Sequence, residues 1–196
     1  MANGHGRLIQ KFGDIYEGEW LNDKHHGRGH YYHYKDGIHY SGTWYEDTQT
    51  GSGHETWPDN TAYIGDYCLG KKQGKGRYQW ADGSIYEGDF YDNYIHGEGT
   101  YKWSDGRSYT GQWNLNMMQG NGIFIWADGR VYYGEFYRDL KHGKGKLTWP
   151  CGKFYDGQWV NGIMDGFGTF KDGNPDSKER LGEWRDGKRL RWIDRM

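Results

Sequence analysis

The chain of 196 residues carries a formal charge of −2, which gives no basic footprint for nucleic acid, and it contains no apolar run long enough for a membrane span or a signal peptide. Its apolar fraction is low enough for disorder, yet 11 Trp, 18 Tyr and 7 Phe are the reverse of a disordered composition, so the core must be aromatic. Cys68 and Cys151, 83 residues apart, argue against a disulfide scaffold and fit a reducing compartment.

In chain order, Asn3-Gly4-His5-Gly6 is the second half of a unit whose full form begins at Tyr16. Tyr-x-Gly then starts at Tyr16, Tyr40, Tyr63, Tyr86, Tyr109, Tyr132 and Tyr155, with a first step of 24 residues and every later step of 23. A degenerate eighth start is Arg180-Leu181-Gly182-Glu183-Trp184. Four residues after each Tyr comes Trp20, Trp44, Tyr67, Phe90, Trp113, Phe136 or Trp159, and Gly-x-Gly pairs march in phase from Gly4 to Gly166. The predicted organisation is one array: a partial repeat over 1–15, full repeats starting at 16, 40, 63, 86, 109, 132 and 155, and a degenerate cap over 180–196.

The unit at 86–108 shows the predicted geometry. Alternation puts Tyr86, Gly88 and Phe90 on one face and Glu87 and Asp89 on the other; after a loop of six residues, Gly97, Gly99, Tyr101 and Trp103 face inward on the second strand. A strand with alternating glycines is weak unless the bare backbone receives a ring from a neighbour. Strands are therefore expected near 15–20, 27–34 and their translations, with no helix longer than about two turns. Two strands per repeat at about 4.8 Å spacing would extend about 75 Å over eight units.

Departures locate irregularities. The extra residue of the first full repeat is expected as a bulge within His30 to Lys35; Glu55 stands where Tyr78 and Tyr101 would fill the inner face, leaving thin packing; Lys171 to Arg180 reads as a loop. Lys188-Arg189-Leu190 replaces the last Gly-x-Gly.

Tyr-Glu-Gly-Glu-Trp, then His-Gly-x-Gly, then Asp-Gly at a 23-residue period resembles the MORN (membrane occupation and recognition nexus) repeat over nearly the whole chain. The resemblance implies an all-β fold, an elongated twisted single-layer antiparallel sheet of tandem β-hairpins. It also implies an aromatic-lined groove, here with Trp20, Trp44, Tyr67, Trp80, Phe90, Trp103, Trp113, Trp126, Phe136, Trp149 and Trp159 as its walls. Because the chain opens inside a repeat, it reads as the C-terminal part of a longer array similar to the protozoan cytoskeletal MORN scaffolds.

No catalytic constellation is recognisable. The Gly-x-Gly pairs lie inside strands, whereas a phosphate cradle needs them between a strand and a helix. His25, His26, His96 and His142 read as polar residues of hairpin loops, and Glu17, Glu19, Glu87, Asp89 and Glu135 as a solvated outer face. No resident cofactor is expected; Cys151 and His142 would bind zinc only if shared between two chains.

The fourth residue of each loop, Lys24, Thr48, Lys71, Tyr94, Met117, Leu140 and Ile163, turns from polar to apolar along the chain, as does the fifth, His25, Gln49, Lys72, Ile95, Met118, Lys141 and Met164. Exposed, these residues would mark a partner surface; folded inward, they would cover the groove. Leu140, Ile163 and Met164 with Trp184, Leu190, Trp192 and Ile193 form the predicted interface of a homodimer. The family resemblance implies a non-catalytic scaffold that binds proteins at a cytoskeletal or membrane-apposed periphery of the cytoplasm. A monomeric peptide-binding module using the groove, or a weak phosphoinositide or anionic-membrane adaptor using Lys24, Lys71, Lys72 and Lys75, are the alternatives.

Overall fold

A computed structural model describes residues 1–193, and these form seventeen β-strands with no helix among them. Two compact units divide the chain, Met1–His96 and the part from Gly97 onward. In the first unit β1 (Gly4–Ile9), β2 (Ile15–Leu21), β3 (Lys24–His33), β4 (Ile38–Tyr45), β5 (Thr48–Thr56), β6 (Ala62–Cys68), β7 (Lys71–Gln79) and β8 (Ile85–Tyr91) pair antiparallel with their sequence neighbours. The second unit repeats the pattern from Gly97 of β9 (Tyr94–Lys102) through β10 (Ser108–Asn114), β11 (Met117–Ile125), β12 (Val131–Tyr137), β13 (Leu140–Thr148), β14 (Phe154–Val160), β15 (Ile163–Lys171), β16 (Arg180–Arg185) and β17 (Lys188–Trp192). Each unit is a single open layer of consecutive hairpins.

The connection inside a repeat is two residues, not the six expected. Asp92 and Asn93 take φ of 52° and 71°, the left-handed pair of a type I′ turn, whose twist matches that of the flanking strands. The second strand therefore starts three residues early, and His25, His26, His96 and His142 are strand residues rather than loop residues. Each turn also bonds to the hairpin before it. In the first unit the Asp47 N–H donates to the His25 carbonyl at 3.0 Å while Asp47 Oδ1 accepts the His25 N–H at 2.7 Å; in the second, Asp139 treats Met118 the same way at 3.1 and 2.8 Å.

A β-bulge follows the glycine of the leading strand in the repeats starting at 16, 40, 63, 109, 132 and 155, as at Gly18/Trp20 and Gly134/Phe136. Opposite it stands the first glycine of Gly-x-Gly, in the left-handed region at Gly27 (60°) and Gly97 (62°). That backbone turns the bare position outward: a Cβ on Gly143 would meet the Glu135 carboxyl at 2.7 Å. Alternation had placed Gly97 inward, and the left-handed residue is why it is not. Gly97→Val is expected to cost about 1–2 kcal/mol through backbone strain, not ring overpacking; an unchanged urea midpoint would show that this bulge relaxes.

The second glycine of the pair behaves as expected. The Tyr that opens each repeat lies flat over two facing glycines, Tyr63 over Gly65 and Gly76, Tyr155 over Gly157 and Gly168. Its hydroxyl donates to the carbonyl three residues on, Tyr63 to Asp66 at 3.0 Å and Tyr155 to Gln158 at 3.0 Å. These tyrosines are fully buried, and burial pushes the Tyr155 hydroxyl up to about 12. Each ring also meets two others edge-on: Tyr132 lies 5.1 Å from Phe136 and 5.4 Å from Trp159 of the following repeat.

The extra residue of the first full repeat enters no bulge, since β3 and β4 pair without a register shift. It lengthens the turn over 34–37, where the Gly37 N–H reaches the His33 carbonyl at 2.9 Å. The loop after β15 spans 172–179, inside the expected Lys171 to Arg180, whose two end residues belong to β15 and β16.

Candidate functional site

The inner face carries the aromatic side chains. Trp44, Tyr67 and Phe90 in the first unit and Trp113, Phe136 and Trp159 in the second are buried as edge-on partners of the tyrosines, so they build the floor. Trp20 and Trp80 in the first unit, with Trp103, Trp126 and Trp149 in the second, are half-buried. They stand at the rim, where Trp80 lies 4.5 Å from Tyr78 and Trp126 4.5 Å from Phe124. Trp80, Trp103 and Trp126 are each fixed by an Asp-Gly turn: the Trp126 N–H donates to the Arg130 carbonyl at 2.9 Å, and Asp128 accepts the Arg130 N–H at 3.1 Å.

The two alternatives for the hairpin residues divide by position. The fourth residues point out, with Leu140 and Ile163 exposed, whereas the fifth point into the groove, where Ile95 is buried and Met118 and Met164 are half-buried. His25 is buried and stacks on Tyr16 at 3.7 Å; burial, opposed by Asp47, holds its imidazole below the ordinary value. Lys141 enters the same layer in the second unit, 4.4 Å from the Trp159 ring centroid and 5.5 Å from that of Trp126. Burial first, then the charge of Arg130, lowers its pKa.

Glu55 does not leave a thin spot. Its Oε2 accepts the Tyr67 hydroxyl at 2.9 Å and pairs with Lys72 Nζ at 2.7 Å, and both charged side chains are mostly buried under a set of rings that includes Trp57 and Tyr78. In the sequence Glu55 read as a missing tyrosine and Lys72 as a polar edge residue; the spacing of 17 residues that brings them together was the available signal.

The outer face is partly a backbone support. Glu17 and Glu87 pair with Arg7 at 3.7 Å and Arg77 at 2.9 Å, and Asp89 pairs with Lys75 at 2.5 Å, as a solvated face would. Glu19 and Glu135 instead accept the N–H of Arg28 at 3.0 Å and Lys144 at 2.9 Å, closing the bulge. His142 sits there too, its ring 5.8 Å from Tyr137 and its Nδ1 buried without a hydrogen-bond partner. Cys151 is exposed in the turn after β13, and no group of three metal-ligating side chains occurs among the described residues.

Of the predicted interface residues, Leu190 is exposed and Trp192 and Ile193 are half-buried. Trp184 is not available to a partner: it is buried 4.8 Å from Tyr155, closing the aromatic stack of the second unit.

The MORN repeat family model matches residues 16–37, 40–62, 63–85, 86–106, 109–129, 132–152, 155–174 and 181–189. Among solved structures, a mutant of the TCP10 domain of Danio rerio CPAP is similar in fold at 14% identity, with 98% of this chain and 90% of that one covered and a TM-score of 0.52. The TCP domain of Drosophila melanogaster SAS-4 (dCPAP), in complex with a proline-rich motif of Ana2, aligns at 8% identity over 92% of this chain and 90% of that one, with a TM-score of 0.49. A sequence comparison with curated proteins finds no match.

Proposed function

We propose that this chain, which belongs to the MORN repeat family, is a non-catalytic scaffold that self-associates and binds protein partners at a cytoskeletal or membrane-apposed structure of the cytoplasm. The observation that carries the partner-binding reading is the single-layer architecture of each unit. Among the described residues the inner face has no second layer in its own unit, so rim tryptophans such as Trp80 and Trp126 remain half-buried. Rigid aromatic side chains at a concave rim supply contact area at low entropic cost, which suits an extended or helical partner segment. Light scattering over a concentration series tests the scaffold. A mass above one chain that grows with concentration is expected, and a single-chain mass throughout would leave the monomeric peptide-binding module in its place.

The charge pattern disfavours the lipid alternative. Lys24 pairs with Glu46 at 3.2 Å, Lys72 with Glu55, Lys75 with Asp89, and Lys71 with Asp92, so each of the four lysines is already matched to a carboxylate. Binding to vesicles containing phosphatidylserine or phosphoinositide is therefore expected to be weak and lost by about 0.15 M salt, where exposed charges are screened beyond about 8 Å. Tight co-sedimentation at that salt with one phosphoinositide would reverse the order of the readings.

A further inference from the structure

Two repeats hold their own ammonium group in one box of rings. Lys72 Nζ in the first unit lies 5.0 Å from the Tyr63 centroid, 5.1 Å from Trp57 and 5.6 Å from Tyr67. Lys141 Nζ in the second lies 4.4 Å from Trp159, 5.5 Å from Trp126 and 5.8 Å from Tyr132, with no carboxylate pairing it among the described residues. The repeat scaffold therefore accepts a cation by its rings, with a carboxylate in one case and without in the other.

In the first full repeat the same position is His25, and the wall residue that is Trp57 for Lys72 and Trp126 for Lys141 is Gln10. The imidazole stacks flat on Tyr16 at 3.7 Å and lies 4.8 Å from Trp20 and 5.3 Å from Trp44, so it forms the base of the box. What remains is an open cavity of about 430 Å³ walled by Trp20, Tyr31 and Trp44, floored by His25, with Asp23 and Asp47 at its edge. Asp23 Oδ1 accepts the Ala2 N–H at 2.5 Å and Asp47 Oδ1 the His25 N–H at 2.7 Å, which fixes both carboxyls there. Burial, opposed by Asp47, lowers the pKa of His25, which disfavours a positive charge of the box's own.

We infer that this cavity binds the side-chain ammonium of a lysine, free or methylated, from a partner segment, against the imidazole that stands where the chain's own lysine enters in two other repeats. The inference rests on the reading of the inner face as a partner surface and names the chemistry of one contact. Aromatic walls attract the cation through their ring faces, and the two rim carboxylates add charge complementarity that an uncharged side chain does not use.

The test is a titration of the full chain, followed by the indole N–H resonances of Trp20 and Trp44. The probes are Nα-acetyl-lysine methylamide, its Nε-trimethyl derivative and the uncharged norleucine analogue. Saturable shifts with at least one of the two cations are expected, with affinity about ten-fold lower for norleucine, the factor a partly desolvated cation–π contact supplies. Which cation binds more tightly distinguishes a plain from a methylated lysine. His25→Lys, which puts the chain's own ammonium in the box, is expected to remove the shifts without lowering the melting temperature; if that variant does not fold, Trp20→Leu is expected to weaken binding by a similar factor. No saturable shift with either cation, equal binding of norleucine, or parental affinity in the folded variant would overturn the inference. Peptides captured by the full chain and lost on Trp126→Ala, with no response to the lysine probes, would sink this contact alone and leave the partner-binding reading in place.

Discussion

Replacing Gly76 by valine is expected to reduce the free energy of unfolding by about 3 kcal/mol, the upper end of the usual cost of overpacking. A Cβ at this position would stand 2.6 Å from both Cε2 and the hydroxyl oxygen of Tyr63 and 2.8 Å from Cζ. The ring has nowhere to go. It is fully buried, its hydroxyl is bonded to the Asp66 carbonyl at 3.0 Å, and its edges meet Tyr67 at 5.3 Å and Phe90 at 5.1 Å. Moving the ring would break contacts in two successive repeats, and moving the strand would disturb the row Gly65, Gly76 and Gly88 that faces across β6, β7 and β8. Gly83→Ala is the matched control: its φ is +86° but nothing lies within 4 Å, so only the backbone cost of about 1–2 kcal/mol applies. Urea unfolding of the two variants separates these effects, and equal midpoints would mean that the tyrosine does not depend on the bare glycine beneath it.

The same pair of glycines shows where the amino-acid order is legible and where it is not. Gly76 follows from alternation alone: it shares a face with Tyr78, and a strand that spends such a position on glycine must be receiving a ring. Gly74, two residues earlier, has the same parity and a different job, because at φ +68° its missing side chain points at the Asp66 carboxyl instead of at a ring. Period two cannot register a left-handed residue, and it therefore could not reveal the bulge or the two-residue turn that accompanies it. The turn was obscured for a further reason. Leu69, Leu115 and Arg138 occupy left-handed first positions that ordinarily attract Asn, Asp or Gly, so only some repeats advertise an I′ turn. The groove's walls were legible because tryptophan and tyrosine recur at fixed offsets. Its charged contents were not, since Lys72, Lys141 and His25 look like exposed hairpin residues until the early start of the second strand turns them inward.

Substituting Trp192 by glutamate is expected to convert a dimer of about twice the chain mass into a single chain in light scattering. The reasoning starts from β17, which among the described residues is paired with β16 alone and so presents a row of backbone donors and acceptors on its other side. Leu190 on that strand is 53% exposed, and Leu140 and Ile163, at the starts of β13 and β15, are 45% and 44% exposed. Exposed apolar residues on the edge strand and at the starts of two strands before it are a surface that closed two-fold pairing would bury. Trp192 anchors it: the indole lies between the guanidinium groups of Arg180 and Arg189, each 4.2 Å from its centroid, and 6.0 Å from Trp184. A glutamate there would draw both arginines into ion pairs and replace the large apolar side chain at the edge with a hydrated one, which removes the part of the interface a partner strand would cover. The buried Trp184 and its contact with Tyr155 should be untouched, so the variant should keep its aromatic near-ultraviolet circular dichroism. Deleting residues 174–196 is a harsher version, because it also uncovers Tyr155 and opens β15 as a new edge. If the glutamate variant retains the parent's mass across the concentration series while remaining folded, the dimer does not form through this end.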